Sequence, residues 1–146
     1  MTTNYIKAQD EMCSTFKSAW SNSVSILGYE PDIGWKNKAK KTKTLTDKFF
    51  CLFSTQTTVE KQATLSGYNG IKRYRSQGII IIQIFCPKNE INSDLKGKQL
   101  AILTRNAFRK NGCNVWYRNA RINELNQEEL FYRFNIIVEY EYDEII

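Results

Sequence analysis

A chain of 146 residues sits near the common size of one domain and is long enough to bury most of its apolar surface around a single core. Hydrophobic residues make up 42% and aromatic residues 13%, which excludes a disordered chain, and no apolar run approaches the ~20 residues needed to span a bilayer. The formal charge is +6 but unevenly placed: residues 1–123 carry 20 Lys/Arg against 8 Asp/Glu, and residues 124–146 carry one Arg against 7 acids.

In space that asymmetry implies either a charged patch facing nucleic acid or two complementary faces that meet when copies assemble. The chain has no histidine, and Cys13, Cys51, Cys86 and Cys113 lie far apart. There is thus no CxxC pair, no Cys-His nucleophile couple and no His-based zinc or iron site. Each cysteine falls in or beside an apolar stretch and reads as a small buried hydrophobe. Met1 to Asp10 lacks the charged-then-apolar layout of a secretory signal, so synthesis in the cytosol is expected.

From Tyr5 to Trp20 the helical period is clean. Tyr5, Ile6, Ala8, Met12, Cys13, Phe16, Ala19 and Trp20 share one arc, and Lys7, Asp10, Glu11, Ser14, Lys17 and Ser18 fill the other. The polar face is mixed in sign, which fits a helix lying on a sheet better than one lying on a membrane. Gly28, Pro31 and Gly34 then punctuate the chain before Trp35, and a lysine-rich run over residues 36–48 predicts an exposed loop. Phe49 to Thr57 reads as a strand with apolar residues on both faces at its start. Such a strand is central, or has one face covered by a neighbouring subunit.

Residues Thr58 to Gly78 are polar and glycine-containing, with a basic cluster at Lys72, Arg73 and Arg75, and are expected to form a long loop. Ile79 to Cys86, bounded by Gly78 and Pro87, gives the strongest strand signal. A second helix is expected from about Ser93 to Lys110, capped by Ser93 or Asp94 and ended by Gly112. Leu100, Ala101, Leu103, Ala107 and Phe108 share its apolar face, opposite Lys98, Arg105 and Arg109. Leu95 and Ile102 fall on the wet side, out of pattern, and are candidates for contact with another chain.

Asn114 to Ile122 is a further strand, followed by a polar loop from Asn123 to Glu128. The last strand, Phe131 to Tyr142, alternates: Tyr132, Phe134, Ile136, Val138, Tyr140 and Tyr142 face one way, and Arg133, Asn135, Glu139 and Glu141 the other. A slip of one residue would expose all six apolar side chains, so the register is firmly set. The element order predicts one α+β domain over residues 1–146, a single antiparallel or mixed sheet with two main helices on one face.

Catalysis needs a nucleophile, base or metal among convergent groups, and the chain offers none by motif. There is no phosphate loop, GxSxG elbow or HExxH pair, and the GYNG at Gly67 to Gly70 reads as a turn. The carboxylates Glu128, Glu129, Glu139, Glu141, Asp143 and Glu144 read as a solvated acidic edge rather than a cation site. No enzyme activity, cofactor or metal is expected. The basic stretches lie near Trp35, Tyr68 and Tyr74, so they suit non-specific nucleic-acid contact, but no helix-turn-helix, RNP or zinc-finger pattern accompanies them.

Several pieces stand in a recurrent order. Ile33 to Asn37 reads I-x-W-x-N after the first helix, Arg75-Ser76-Gln77-Gly78 leads into the apolar strand Ile79 to Cys86, and the helical piece Ala101 to Phe108 opens on Ala and closes on Phe. Asn114 to Ile122 follows, and Phe134 to Asp143 closes the order as a strand that opens on Phe, alternates through Ile136, Val138 and Tyr140, and ends on an acid. Over most of its length the chain resembles the tail terminator, or tail completion, proteins of long-tailed bacteriophages. The resemblance implies a virion protein made in the host cytoplasm. Six copies would form a ring on the head-proximal end of the tail tube, stop tube polymerisation and meet the head-side connector, with genomic DNA passing through the lumen without sequence-specific binding.

Another head-tail joining protein of the neck, or a non-specific nucleic-acid-binding module, are the alternatives. No membrane partner is implied. Lys38, Lys40, Lys41, Lys43, Arg73 and Arg75 are candidates for the lumen or a subunit contact. Leu95, Ile102, Glu139, Glu141, Asp143 and Glu144 are candidates for the subunit interface, the acids as a docking surface for a basic neighbour.

Overall fold

A computed structural model describes residues 3–35, 48–64, 70–88, 92–110, 112–125 and 131–145. Helix α1 (Tyr5–Trp20) leads through a 3-10 turn into the short α2 (Val24–Leu27). Strands β1 (Asp32–Trp35), β2 (Phe50–Gln62) and β3 (Arg73–Pro87) follow, then α3 (Ser93–Ala107), β4 (Trp116–Glu124) and β5 (Phe131–Ile145). The strands form one sheet in the order β1-β2-β3-β5-β4. Only β1 and β2 run parallel; the other neighbours are antiparallel. The fold is α+β with a single mixed sheet.

The last strand is interior, between β3 and β4, and its alternation turns one face to the core. Phe134, Ile136 and Val138 stand opposite Ile84, Ile82 and Ile80, and this row is the floor on which the two long helices lie. From α1, Ala8, Met12, Phe16 and Trp20 are fully buried, four residues apart along one stripe. Phe16 stacks on Phe53 at 5.0 Å between ring centres and meets Trp35 edge-on at 6.1 Å. Leu100, Ala101 and Phe108 seal the same face from α3. The Trp20 indole Nε1 donates to the Pro31 carbonyl at 3.1 Å, so the largest core side chain keeps its polar atom satisfied.

Two ties fix α1 against the far edge of the chain. Glu11 accepts from the backbone amides of Asn114 and Val115, at 3.1 and 2.9 Å, which anchors the segment entering β4. The Thr3 amide donates to the Asp143 carbonyl at 2.9 Å, satisfying an acceptor on β5 beyond the start of β4.

Several expectations are corrected. The long loop over Thr58 to Gly78 is largely strand: β2 continues to Gln62 and β3 begins at Arg73, pairing Glu60 with Ser76, Lys61 with Arg75 and Gln62 with Tyr74. Backbone pairing does not depend on apolar side chains, and polar residues suit the wet end of a hairpin. Helix α3 is preceded by Asn92 in a left-handed conformation with no side-chain cap, and it ends at Ala107, before Gly112. Tyr5 and Ile6 are exposed, because the buried stripe of α1 begins only at Ala8. Cys113 is exposed rather than buried, whereas Cys51 and Cys86 are core residues.

Candidate functional site

Antiparallel pairing places directly opposite residues on the same face of a sheet. Three acids of β5 therefore share a face with arginines of both neighbours: Asp143 stands opposite Arg75, and Glu139 opposite Arg118. Among the described residues no helix packs on this face.

The Asp143 side chain is 0% exposed and that of Glu141 7%, whereas Arg73, Arg75 and Arg118 are 41%, 44% and 62% exposed. Arg75 Nε donates to Asp143 Oδ1 at 3.0 Å and lies 2.9 Å from Glu141 Oε1. Arg73 Nε pairs with Asp143 Oδ2 at 3.0 Å by proximity rather than as a directed hydrogen bond. Arg118 Nη2 pairs with Glu141 Oε2 from the opposite side, and Gln77 Nε2 reaches the same oxygen at 3.4 Å. Two residues along the same strand, Glu139 accepts from Asn119 at 2.8 Å and from Arg121 at 3.2 Å.

The acids form a buried keel, and the guanidiniums lie over it. This corrects the expected solvated acidic edge at Glu141 and Asp143. The cause is that β5 lies inside the sheet, so its acids have basic strands on both sides. Three of the seven acids at the acidic end are thus paired with arginines of the same chain. Donation to the Asp143 carboxylate, followed by the charge of that carboxylate, holds the Arg75 guanidinium still more firmly protonated than usual. Glu144 points to the helix-covered side, where burial and then the charge of Glu60 raise its carboxyl above the ordinary range.

Arg118 and Arg121 were not singled out by sequence reasoning. They are three residues apart, and a regular strand would place them on opposite faces. A bulge between them, with Asn119 at φ 53°, brings both onto the face of Glu139 and Glu141.

Beyond the ladder the same face is mixed, with apolar side chains set among Ser54, Gln83 and Asn135. Phe50, Leu52, Ile79, Ile81 and Ile137 are half-buried there, and Phe50 stacks on Phe85 at 4.5 Å. On α3, Leu95 and Ile102 are exposed as expected. Lys38, Lys40, Lys41 and Lys43 lie outside the described residues, as do Glu128, Glu129 and the Gly67 end of the GYNG turn. Among the described residues, no group of three or more His, Cys, Asp or Glu side chains could hold a metal ion, and no helix is long and apolar enough to cross a membrane.

No family model and no curated protein matches the chain. Solved structures do: 11 chains match, and one of them superposes with a TM-score of 0.52 at 14% identity, covering 92% of this chain and 94% of its own. The name of that protein is a bare sequence identifier that says nothing of function. The likeness shows a shared fold over nearly the whole of both chains.

Proposed function

We propose that this chain is a structural protein of a long-tailed phage, a tail terminator whose ring caps the head-proximal end of the tail tube and joins it to the head-side connector. One observation carries the reading. The R-x-x-G piece and the acidic closing strand, separate parts of the sequence resemblance, are a single unit in space: Arg75 stands opposite Asp143 and pairs with it, and Gly78 stands opposite Tyr140. The resemblance is therefore supported by side chains that need one another, beyond a shared order of elements.

The intramolecular ladder changes which surfaces suit a ring. Glu141 and Asp143 are already engaged, which leaves the apolar side chains of the sheet face and the α3 ridge of Leu95 and Ile102 as the surfaces with apolar area to bury. The test is the mass of the purified protein, alone and mixed with tail-tube protein. A ring, or a monomer that becomes a ring on tube ends and halts their growth, is the expected result. A monomer that leaves tube length unchanged overturns the proposal.

A further inference from the structure

The surface over the buried acids presents cations to solvent although carboxylates lie beneath. At this end of the sheet face Lys61, Arg73, Arg75, Arg118 and Arg121 stand around Glu139, Glu141 and Asp143, five positive groups to three negative among the described residues. The two innermost carboxylates are almost fully covered, so an approaching ligand meets guanidinium edges first. A guanidinium has five N–H donors. Arg73 lies against the acids through Nε, Arg118 pairs through Nη2 and Arg121 through Nη1, so none of the three uses all of its donors in these ion pairs.

The acids thus act as positioning groups: they hold otherwise flexible arginines at fixed points. Arg73 and Arg75, two residues apart on one strand, are about 6.6 Å apart along it, and Arg118 lies two strand spacings across, about 9.6 Å. Such a grid suits a repeating anion. Trp116 stands opposite Glu141 on this face, beside Arg118, and is 39% exposed.

We infer that this face is a binding site for single-stranded nucleic acid, in which the arginines and Lys61 contact successive phosphates and Trp116 stacks on a base. An acidic protein surface would meet the same charges but would leave the indole without a stacking partner. Duplex DNA would leave it equally unused, because its bases are already stacked.

The probe is a labelled oligothymidylate followed by fluorescence anisotropy with the full chain, alongside a duplex of equal length and polyglutamate as competitors. With about four phosphates contacted, raising salt from about 50 to 200 mM weakens binding about 50-fold. Trp116→Ala costs about tenfold at fixed salt. Lys61→Gln, a change at an exposed position, and the neutral pair Arg118→Gln with Glu141→Gln each lower the salt slope by about 0.7. The double variant removes both partners and so leaves no orphaned buried charge; if it fails to fold, the Trp116 and Lys61 variants still decide.

The inference is overturned by no binding at low salt, by equal competition from duplex or polyglutamate, or by variants that bind as the parent does. Loss of binding only when Lys38, Lys40, Lys41 and Lys43 are neutralised would place contact in the lysine-rich segment and overturn it as well. The inference stands apart from the assembly reading. A chain that caps tubes but ignores oligothymidylate refutes the inference alone, and one that binds oligothymidylate but ignores tubes refutes the assembly reading alone.

Discussion

Replacing Gly78 by alanine is the most informative single change to the fold. Gly78 lies on the helix-covered face of β3, between β2 and β5, where its neighbours across the sheet are Thr57 and Tyr140. A methyl group at this position would collide with the Gln56 carbonyl oxygen and would sit 2.5 Å from Tyr140 Oη and 2.6 Å from Cζ. The tyrosine ring alone could swing, but its hydroxyl is bonded to Thr57 Oγ1 at 2.7 Å, and Tyr140 is itself buried. The Gln56 oxygen is backbone and moves only with its strand.

Relief therefore requires β2 to separate from β3 just before the bulge at Thr57 and Val59, and it breaks the Thr57–Tyr140 bond. Overpacking of this kind costs about 1–3 kcal/mol, and loss of the hydrogen bond adds about 1 kcal/mol, so about 3 kcal/mol is expected in total. Urea titration with a fitted midpoint and slope reads the change directly, and thermal unfolding should fall by about 10 °C. Gly28→Ala is the control. Gly28 has φ 81° but no heavy atom within 4 Å of the added methyl, so it costs only the conformational penalty of about 1 kcal/mol. A Gly78→Ala cost no greater than that of Gly28→Ala would refute the close approach of the three strands.

Arg75→Ala should destabilise by about 2 kcal/mol, less than the usual loss for a broken buried pair, because Arg75 is half exposed and Arg73 still faces Asp143; chemical denaturation measures it. Glu11→Ala removes the acceptor for two backbone amides and should cost about 2 kcal/mol, with faster hydrogen exchange at Asn114 and Val115. Burial raises the Tyr117 phenol to about 12, so the folded chain holds this proton more tightly than the unfolded one. Its contribution is complete below about pH 10 and is lost as pH rises towards 12. Tyr117→Phe should flatten alkaline unfolding in that window, as followed by circular dichroism. Leu95→Lys with Ile102→Lys should leave monomer stability within about 0.5 kcal/mol and abolish ring formation on tube ends, read by native mass and electron microscopy.

Local signals were enough for the helices and the apolar strands. The spacing of Ala8, Met12, Phe16 and Trp20 gives α1 its buried stripe, and the alternation from Tyr132 to Tyr142 sets the register of β5, because each pattern matches the period of one element. The polar halves of β2 and β3 escape such a reading. Glu60, Lys61 and Gln62 carry no apolar period, and their strand state comes from backbone bonds to residues 74–76 across the hairpin.

The acidic closing strand shows the same division most clearly. Its alternation announces that Glu139 and Glu141 share a face, and the sequence shows an acidic end after a basic body. Which charges meet depends on strand order. Only the sheet puts β5 between β3 and β4, and only a bulge at Asn119 turns Arg118 and Arg121 to the same side. Periodicity is a property of neighbours along the chain, whereas charge pairing depends on distances across the sheet. The sequence by itself determined the helices, the apolar strands and the apolar face; the tertiary structure decided the polar half of the hairpin and that the acids are buried beneath arginines rather than left in water.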